Sequence, residues 1–305
     1  MNKLQAMEVF VQVVDAGGFT RAAEAMQLPK ATVSTLIQSL EVALDVKLLH
    51  RTTRQVSVTS DGAAYYERCL RILSDVREAE ESISRSRASP SGRLRVDTST
   101  AIANDVIVPS LPEFFRRYPD IRLDLGTSDR QIDLIEEGVD CAIRGGNLAD
   151  SSLIARRIGM LNFVTAATPT YLDKHGRPSH PSELMQHRGI NYFSSKTGKV
   201  FDWDFKRGDE RVDIAMPACL AVNDGMLYLT AGLKHLGMMQ LASYTADPFI
   251  ADGTLERVLP EWTTDPLPVT VVYPQNRHLS AKVRVFVEWV ADLFVNDPRL
   301  QVKKP

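Results

Sequence analysis

From Leu4 to Leu44 the apolar residues recur at three- and four-residue intervals, the period of short helices laid on one core. Leu4, Met7, Phe10, Val11 and Val14 make the first stripe, and Gly17-Gly18 stops it. A short Ala-rich helix follows, with Thr20 at its N-cap position, up to a break at Leu28-Pro29. In the next helix Val33, Leu36, Ile37, Leu40 and Leu44 share one face. Its other face carries Ala31, Ser34, Thr35 and Gln38, with Lys30 at the start. A slim helix with small hydrogen-bonding side chains outward suits a major groove, where base edges are read. Leu48–Arg54 and Gln55–Thr59 then read as two short strands around a basic turn, a wing whose Arg51 and Arg54 suit phosphate or the minor groove.

After a Thr59 or Ser60 cap, residues 60–88 form a long helical pattern. Tyr66, Cys69, Leu73, Val76, Glu80 and Ile83 follow alternating three- and four-residue steps, a heptad seam that suits a second copy of the chain. Ser89-Pro90-Ser91-Gly92 breaks it. From Arg93 onward strands alternate with helices, the pattern of a mostly parallel α/β sheet. Strands are expected at Leu94–Thr98, Ile121–Gly126 and Val139–Arg144, with helices at Val106–Arg117 and Arg130–Glu137 between them. A second half starts near Asn162, turns a hairpin at Gly208-Asp209 and continues through Asn223–His235 and Gly237–Leu241. Strand Val269–Tyr273 and helix Ala281–Phe294 return the chain to the first half. Two crossings between lobes imply a cleft, and α/β sheets place ligands at strand carboxyl ends.

Composition narrows the classes. The 305 residues suffice for two or three domains. No run of about 18 apolar residues occurs, and the first residues lack a signal-peptide core, so a cytoplasmic protein without membrane contact is expected. Residues 1–90 hold 11 Lys or Arg and 11 Asp or Glu, so nucleic-acid binding rests on shape and motif rather than bulk charge. Three cysteines without a CxxC suggest neither disulfides nor zinc. The six histidines show no metal spacing and no Gly-x-Ser-x-Gly elbow occurs, so no catalytic residue, metal or cofactor is expected.

Residues 1–60 resemble the winged helix-turn-helix domain of the LysR-type transcriptional regulators, and the resemblance runs to about residue 295. It is carried by Phe10 with Gly18-Phe19-Thr20, Ala22-Ala23, Val33-Ser34, Leu40-Glu41, Leu48-Leu49-His50-Arg51-Thr52-Thr53-Arg54, Thr59 and Gly62. The family often has Arg or Lys where this chain has Thr35, and Gln where it has Lys30; Lys30 partly replaces the missing basic contact. The resemblance implies an all-α winged helix-turn-helix over 1–59 (its core motif about 19–38) and a linker and dimerisation helix over 60–89. An α/β two-lobed, periplasmic-binding-protein-like (type II) effector domain is implied over 92–305. Lobe I would take about 92–161 and 268–305, lobe II about 162–267.

It further implies a regulator, not an enzyme, that binds a pseudo-palindromic DNA operator as a dimer or tetramer. An activator of this kind would also meet RNA polymerase. Lys30, Thr32, Ser34, Thr35 and Gln38 would contact bases or nearby phosphates, while Thr20, Arg21, Arg51 and Arg54 fix the backbone register. A small-molecule effector is expected at Ser99, Thr100, Thr127, Ser128, Arg144, Phe193, Ser194 and Asn223. The hydroxyl-rich first lobe favours a carboxylate. A solute-binding protein is the rival class, and the first 90 residues argue against it.

Overall fold

The computed structural model describes residues 2–51, 56–83, 90–130, 133–146, 153–275 and 279–300, with side chains at 51 and 77–83 left aside. Its contacts divide the chain into two units, Met1–Ala88 and Ser89–Pro305.

The N-terminal unit begins with α1 (Lys3–Asp15), α2 (Phe19–Ala25) and α3 (Lys30–Leu44). All three helices end alike. At each end a residue in the left-handed region (Gly17, Gln27 or Asp45) donates to the carbonyl three residues back, and its successor donates five back. Only Gly17 is a glycine, so the turn between α2 and α3 holds Gln27 at φ 54 against its steric preference. The helix α2 starts two residues earlier than a Thr20 cap requires: Gly18 is the N-cap, without a side-chain bond, and Thr20 lies in the first turn. The sharp turn at Gly17-Gly18 leaves no residue between it and Phe19.

Strands β1 (Leu49–Arg51) and β2 (Val56–Val58) pair antiparallel as the wing, with Leu49 opposite Val58. The Thr59 hydroxyl donates to the Lys47 carbonyl at 2.7 Å and accepts from Gly62 N at 2.8 Å, which caps α4 (Ser60–Ile83). A Cβ on Gly62 would sit 2.0 Å from the Leu48 carbonyl oxygen, so only glycine lets α4 approach the wing here. The seam expected to meet a second copy is in part spent inside the unit. Cys69 and Leu73 are buried in the core with Phe10, Ile37, Leu40 and Leu48, and the Tyr66 ring centroid lies 6.5 Å from that of Phe10. The apolar face of α1 needs covering, and α4 covers it. The side chains of Glu80 and Ile83 lie outside those described.

In the C-terminal unit β3 (Gly92–Thr98) leads into α5 (Thr100–Ile102), one π-turn (Ala103–Ile107) and α6 (Val108–Arg117). Next come β4 (Ile121–Thr127), α7 (Leu134–Glu137), β5 (Cys141–Gly145) and β6 (Leu153–Leu161). The helix expected over Arg130–Glu137 is thus a single turn, because Asp133 caps it by accepting from Ile135 N and Glu136 N. The second lobe holds β7 (Phe163–Ala167), α8 (Pro169–His175), β8 (Gly189–Tyr192), and the hairpin β9 (Trp203–Arg207) and β10 (Glu210–Ile214). It continues with β11 (Ala218–Val222), α9 (Gly225–Leu233), β12 (Met239–Ala242), α10 (Ser243–Ala251) and β13 (Glu256–Val258). Finally β14 (Leu267–Pro274) and α11 (Ala281–Asn296) rejoin the first lobe.

The first-lobe sheet runs β4-β3-β5-β14-β6. β3 pairs parallel with β4 and β5, whereas β14 is antiparallel to both its neighbours. Leu94 and Val96 of β3 enter a core with Phe114, Phe286 and Trp289, whose ring centroids lie 4.7 to 5.7 Å apart. In the second lobe β7 stands between β12 and β13, and β8 pairs parallel with β11.

Candidate functional site

In α3 the core side is complete: Val33, Ile37 and Leu40 are fully buried. Lys30, Thr32, Thr35 and Gln38 are exposed, and Ser34 is half-buried. Among the described residues, no side-chain hydrogen bond ties Lys30, Thr32, Ser34 or Gln38 to the protein. Thr35 differs. Its hydroxyl donates to the Ala31 carbonyl at 2.9 Å, so it offers the outside an acceptor and a methyl group. Arg21 is exposed and its Nη2 donates to the Gly17 carbonyl at 3.4 Å, at the C-terminal end of α1. Thr20 is exposed beside it. Arg51 belongs to β1, opposite Val56, and Arg54 lies outside the described residues.

One residue absent from the expected set holds this face in place. Glu41 is buried (2 % exposed) on the core side of α3. Its Oε1 accepts from Leu48 N at 3.0 Å and Leu49 N at 3.3 Å, and Lys47 Nζ donates to Oε2 at 2.9 Å. Burial by itself raises the pKa of Glu41, but the Lys47 and backbone hydrogen bonds outweigh it and bring the carboxyl below the usual value. The carboxylate thereby fastens the first strand of the wing to the exposed-face helix. Glu41 ends the Leu40-Glu41 match, so its presence was visible although its task was not.

In the C-terminal unit the expected residues gather around the ends of β3, β4, β5, β8 and β11, but most already hold partners. Ser99 is the N-cap of α5, its hydroxyl accepting from Ile102 N at 3.3 Å. The Thr100 hydroxyl donates to Asp224 Oδ2 at 2.7 Å, a bond from lobe to lobe. Asp224, rather than Asn223, caps α9 by accepting from Leu227 N. Thr127 is exposed at the end of β4, opposite Thr98, and the Ser128 hydroxyl accepts from Arg130 N at 3.1 Å. Arg144 is buried and ion-paired with Asp97 of β3. Phe193 is half-buried at the end of β8, and Ser194 accepts from Thr197 N in the turn that follows. Asn223 Nδ2 donates to Ser195 Oγ at 3.0 Å.

Asp129 and Tyr192 were not singled out, yet they occupy the middle of this group. Asp129 Oδ2 accepts from the Tyr192 hydroxyl at 2.6 Å and from Gly225 N at 3.1 Å. Burial lifts the Asp129 carboxyl above the usual range, with nearby Asp224 adding to the effect, against the opposing pull of the two hydrogen bonds and Arg144. Burial and the Asp129 charge likewise push the Tyr192 phenol up. The cysteines take no part: burial raises the Cys69 thiol to about 11 and also raises Cys141, while Cys219 is exposed. Among the described residues no cluster of metal-ligating side chains occurs, and no helix is long and apolar enough to cross a membrane.

An exposed polar helix braced by a wing, followed by a two-lobed α/β unit with a polar cleft, defines the ligand-responsive DNA-binding regulators. Residues 4–63 match the bacterial regulatory helix-turn-helix of the lysR family, and residues 87–295 match the LysR substrate binding domain. The chain belongs to the LysR family of transcriptional regulators, which is not an enzyme family. It is a sequence-specific DNA-binding regulator of that type, modulated by a small molecule. An HTH-type transcriptional repressor of Pseudomonas aeruginosa is 43% identical over 302 residues, covering 99% of this chain and 95% of its own. CrgA, a LysR-type transcriptional regulator from Neisseria meningitidis, has a solved structure with TM-score 0.61 and 35% identity, covering 94% of this chain and 97% of its own. The Vibrio cholerae virulence activator AphB follows at TM-score 0.59 and 29% identity, covering 95% and 98%.

Proposed function

We propose that two copies of this chain present α3 to successive major grooves of a pseudo-palindromic operator, and that a small molecule in the C-terminal cleft changes how the copies pack. Lys30, Thr32, Ser34, Thr35 and Gln38 contact bases or adjacent phosphates; Thr20, Arg21, Arg51 and Arg54 set the register on the backbone. The observation that carries this is the outer face of α3, where Lys30, Thr32, Ser34 and Gln38 have no side-chain hydrogen bond among the described residues while the core side is full. Residues 1–59 form the DNA-binding domain, 60–89 the linker through which copies pair, and 92–305 the effector domain. Because Cys69 and Leu73 face the chain's own core, pairing uses the rest of α4, including the exposed Ile72. The protein works in the cytoplasm with its DNA, and an activating complex would also touch RNA polymerase.

The effector acts by binding two arrangements with different affinity, the condition for any ligand-driven shift. Ser99, Thr100, Thr127, Ser128, Arg144, Phe193, Ser194 and Asn223 surround its site. Binding assays on operator variants test the DNA half. Replacing Gln38 with Ala removes about 1–3 kcal/mol of discrimination at one base position. Arg51→Ala weakens binding to all sequences and lowers the salt slope by about one. A Gln38→Ala protein with unchanged base preference removes that residue from the reading set.

A further inference from the structure

The lobes of the C-terminal unit are joined by polar bonds apart from the strands that connect them. Asp129 follows β4 on the first lobe, whereas Tyr192 ends β8 and Gly225 begins α9 on the second. One carboxylate oxygen of Asp129 receives both the Tyr192 hydroxyl and the Gly225 N–H. The Thr100–Asp224 bond runs alongside. The backbones are close at this point, since a Cβ on Gly225 would lie 3.3 Å from the Ala101 Cβ.

A phenol and a backbone N–H at a helix start are the donors that hold a free carboxylate elsewhere, and here the chain itself supplies the carboxylate. The cation nearest in effect, Arg144, is paired with Asp97, and Asp224 adds a like charge. Among the described residues Asp129 is therefore held by hydrogen bonds without a direct ion pair, an arrangement that another carboxylate can exchange. We propose that Asp129 acts as the cleft's own ligand, a latch that keeps the lobes together when no effector is present. A small organic carboxylate releases it by taking over the Tyr192 hydroxyl and the Gly225 N–H. This rests on the cleft being the effector site. The effector competes with an intramolecular group whose effective concentration is on the order of millimolar, so affinity is modest unless other contacts add to it.

The test uses the full-length protein, Asp129→Ala and Tyr192→Phe, with amide hydrogen exchange followed over residues 189–193 and 223–229. Acetate is the probe, with chloride at equal ionic strength as control. Asp129→Ala is expected to speed exchange of the 223–229 segment about tenfold, the scale of a lost charge-assisted hydrogen bond. Acetate then restores protection saturably in Asp129→Ala, while chloride does not. Tyr192→Phe, which keeps the ring, loosens the same segment less and leaves the melting temperature of the unit intact. Wild-type exchange rates in both variants overturn the latch. Acetate acting no better than chloride in Asp129→Ala overturns the carboxylate site. A wild-type protein whose DNA binding still responds to a metabolite, alongside either negative result, leaves the effector cleft standing and removes only the latch.

Discussion

The outer face of α3 and the C-terminal cleft handle their polar groups in opposite ways. On α3, scaffold and proposed contact residues are separate: Glu41, Thr59 and the helix-ending turns hold the shape, and Lys30 and Gln38 make no side-chain hydrogen bond among the described residues. In the cleft, residues proposed to line the effector site are also scaffold: Thr100 bonds to Asp224, Tyr192 to Asp129 and Arg144 to Asp97, across or beneath the gap. A preformed surface can meet rigid DNA without rearrangement. A cleft whose donors are already satisfied must exchange partners to admit a ligand, and exchange is what makes binding change the shape.

The largest break in this comparison is expected at Arg144. With about a tenth of each side chain exposed, Arg144 and Asp97 form a buried pair, and Arg144→Ala leaves Asp97 charged and alone. A loss of about 3–5 kcal/mol is expected in the unfolding of the C-terminal unit, with much of it recovered in the Asp97→Ala/Arg144→Ala double variant. A loss below about 1 kcal/mol would mean that Arg144 serves the ligand rather than the scaffold. Next comes Glu41→Ala, which strands the Leu48 and Leu49 N–H groups and should cost about 2–3 kcal/mol. DNA affinity would fall with stability while base preference stays unchanged. Because the folded-state pKa of Glu41 lies below its unfolded value, its contribution is present above about pH 4.3 and disappears as pH falls through the lowered value. Melting the wild type and Glu41→Ala across that range should show the two converging in acid. The smallest effect is a gain: Gln27→Gly relieves a left-handed backbone and should add up to about 1 kcal/mol without altering DNA affinity.

Features written into neighbouring residues were legible. The period of Val33, Ile37 and Leu40 placed the α3 core face, Gly17 marked the end of α1, and the Gly208-Asp209 turn placed a hairpin whose strands close at Arg207 and Glu210. Thr20 misled because a good capping residue two places late looks the same in sequence, while the φ of 54 at Gln27 is carried by a residue type that gives no such signal. The heptad steps fall on α4, but a period cannot say whether its stripe faces another copy or the chain's own α1, and Cys69 and Leu73 face the latter. In the cleft, the strand ends were placed and the partners were not. Asp129 lies 63 residues from Tyr192, and Thr100 lies 124 from Asp224, so their pairing exists only once the lobes have met.

The antiparallel strand β14 bears on how the chain is made. It is an interior strand of the first-lobe sheet, between β5 and β6, yet is synthesised after the whole second lobe. On the ribosome, β5 therefore keeps an open edge for more than a hundred residues of translation, and the first lobe closes last. Nascent chains halted before Leu267 should hold a folded second lobe beside an incomplete sheet, and chaperones would meet the protein in that state.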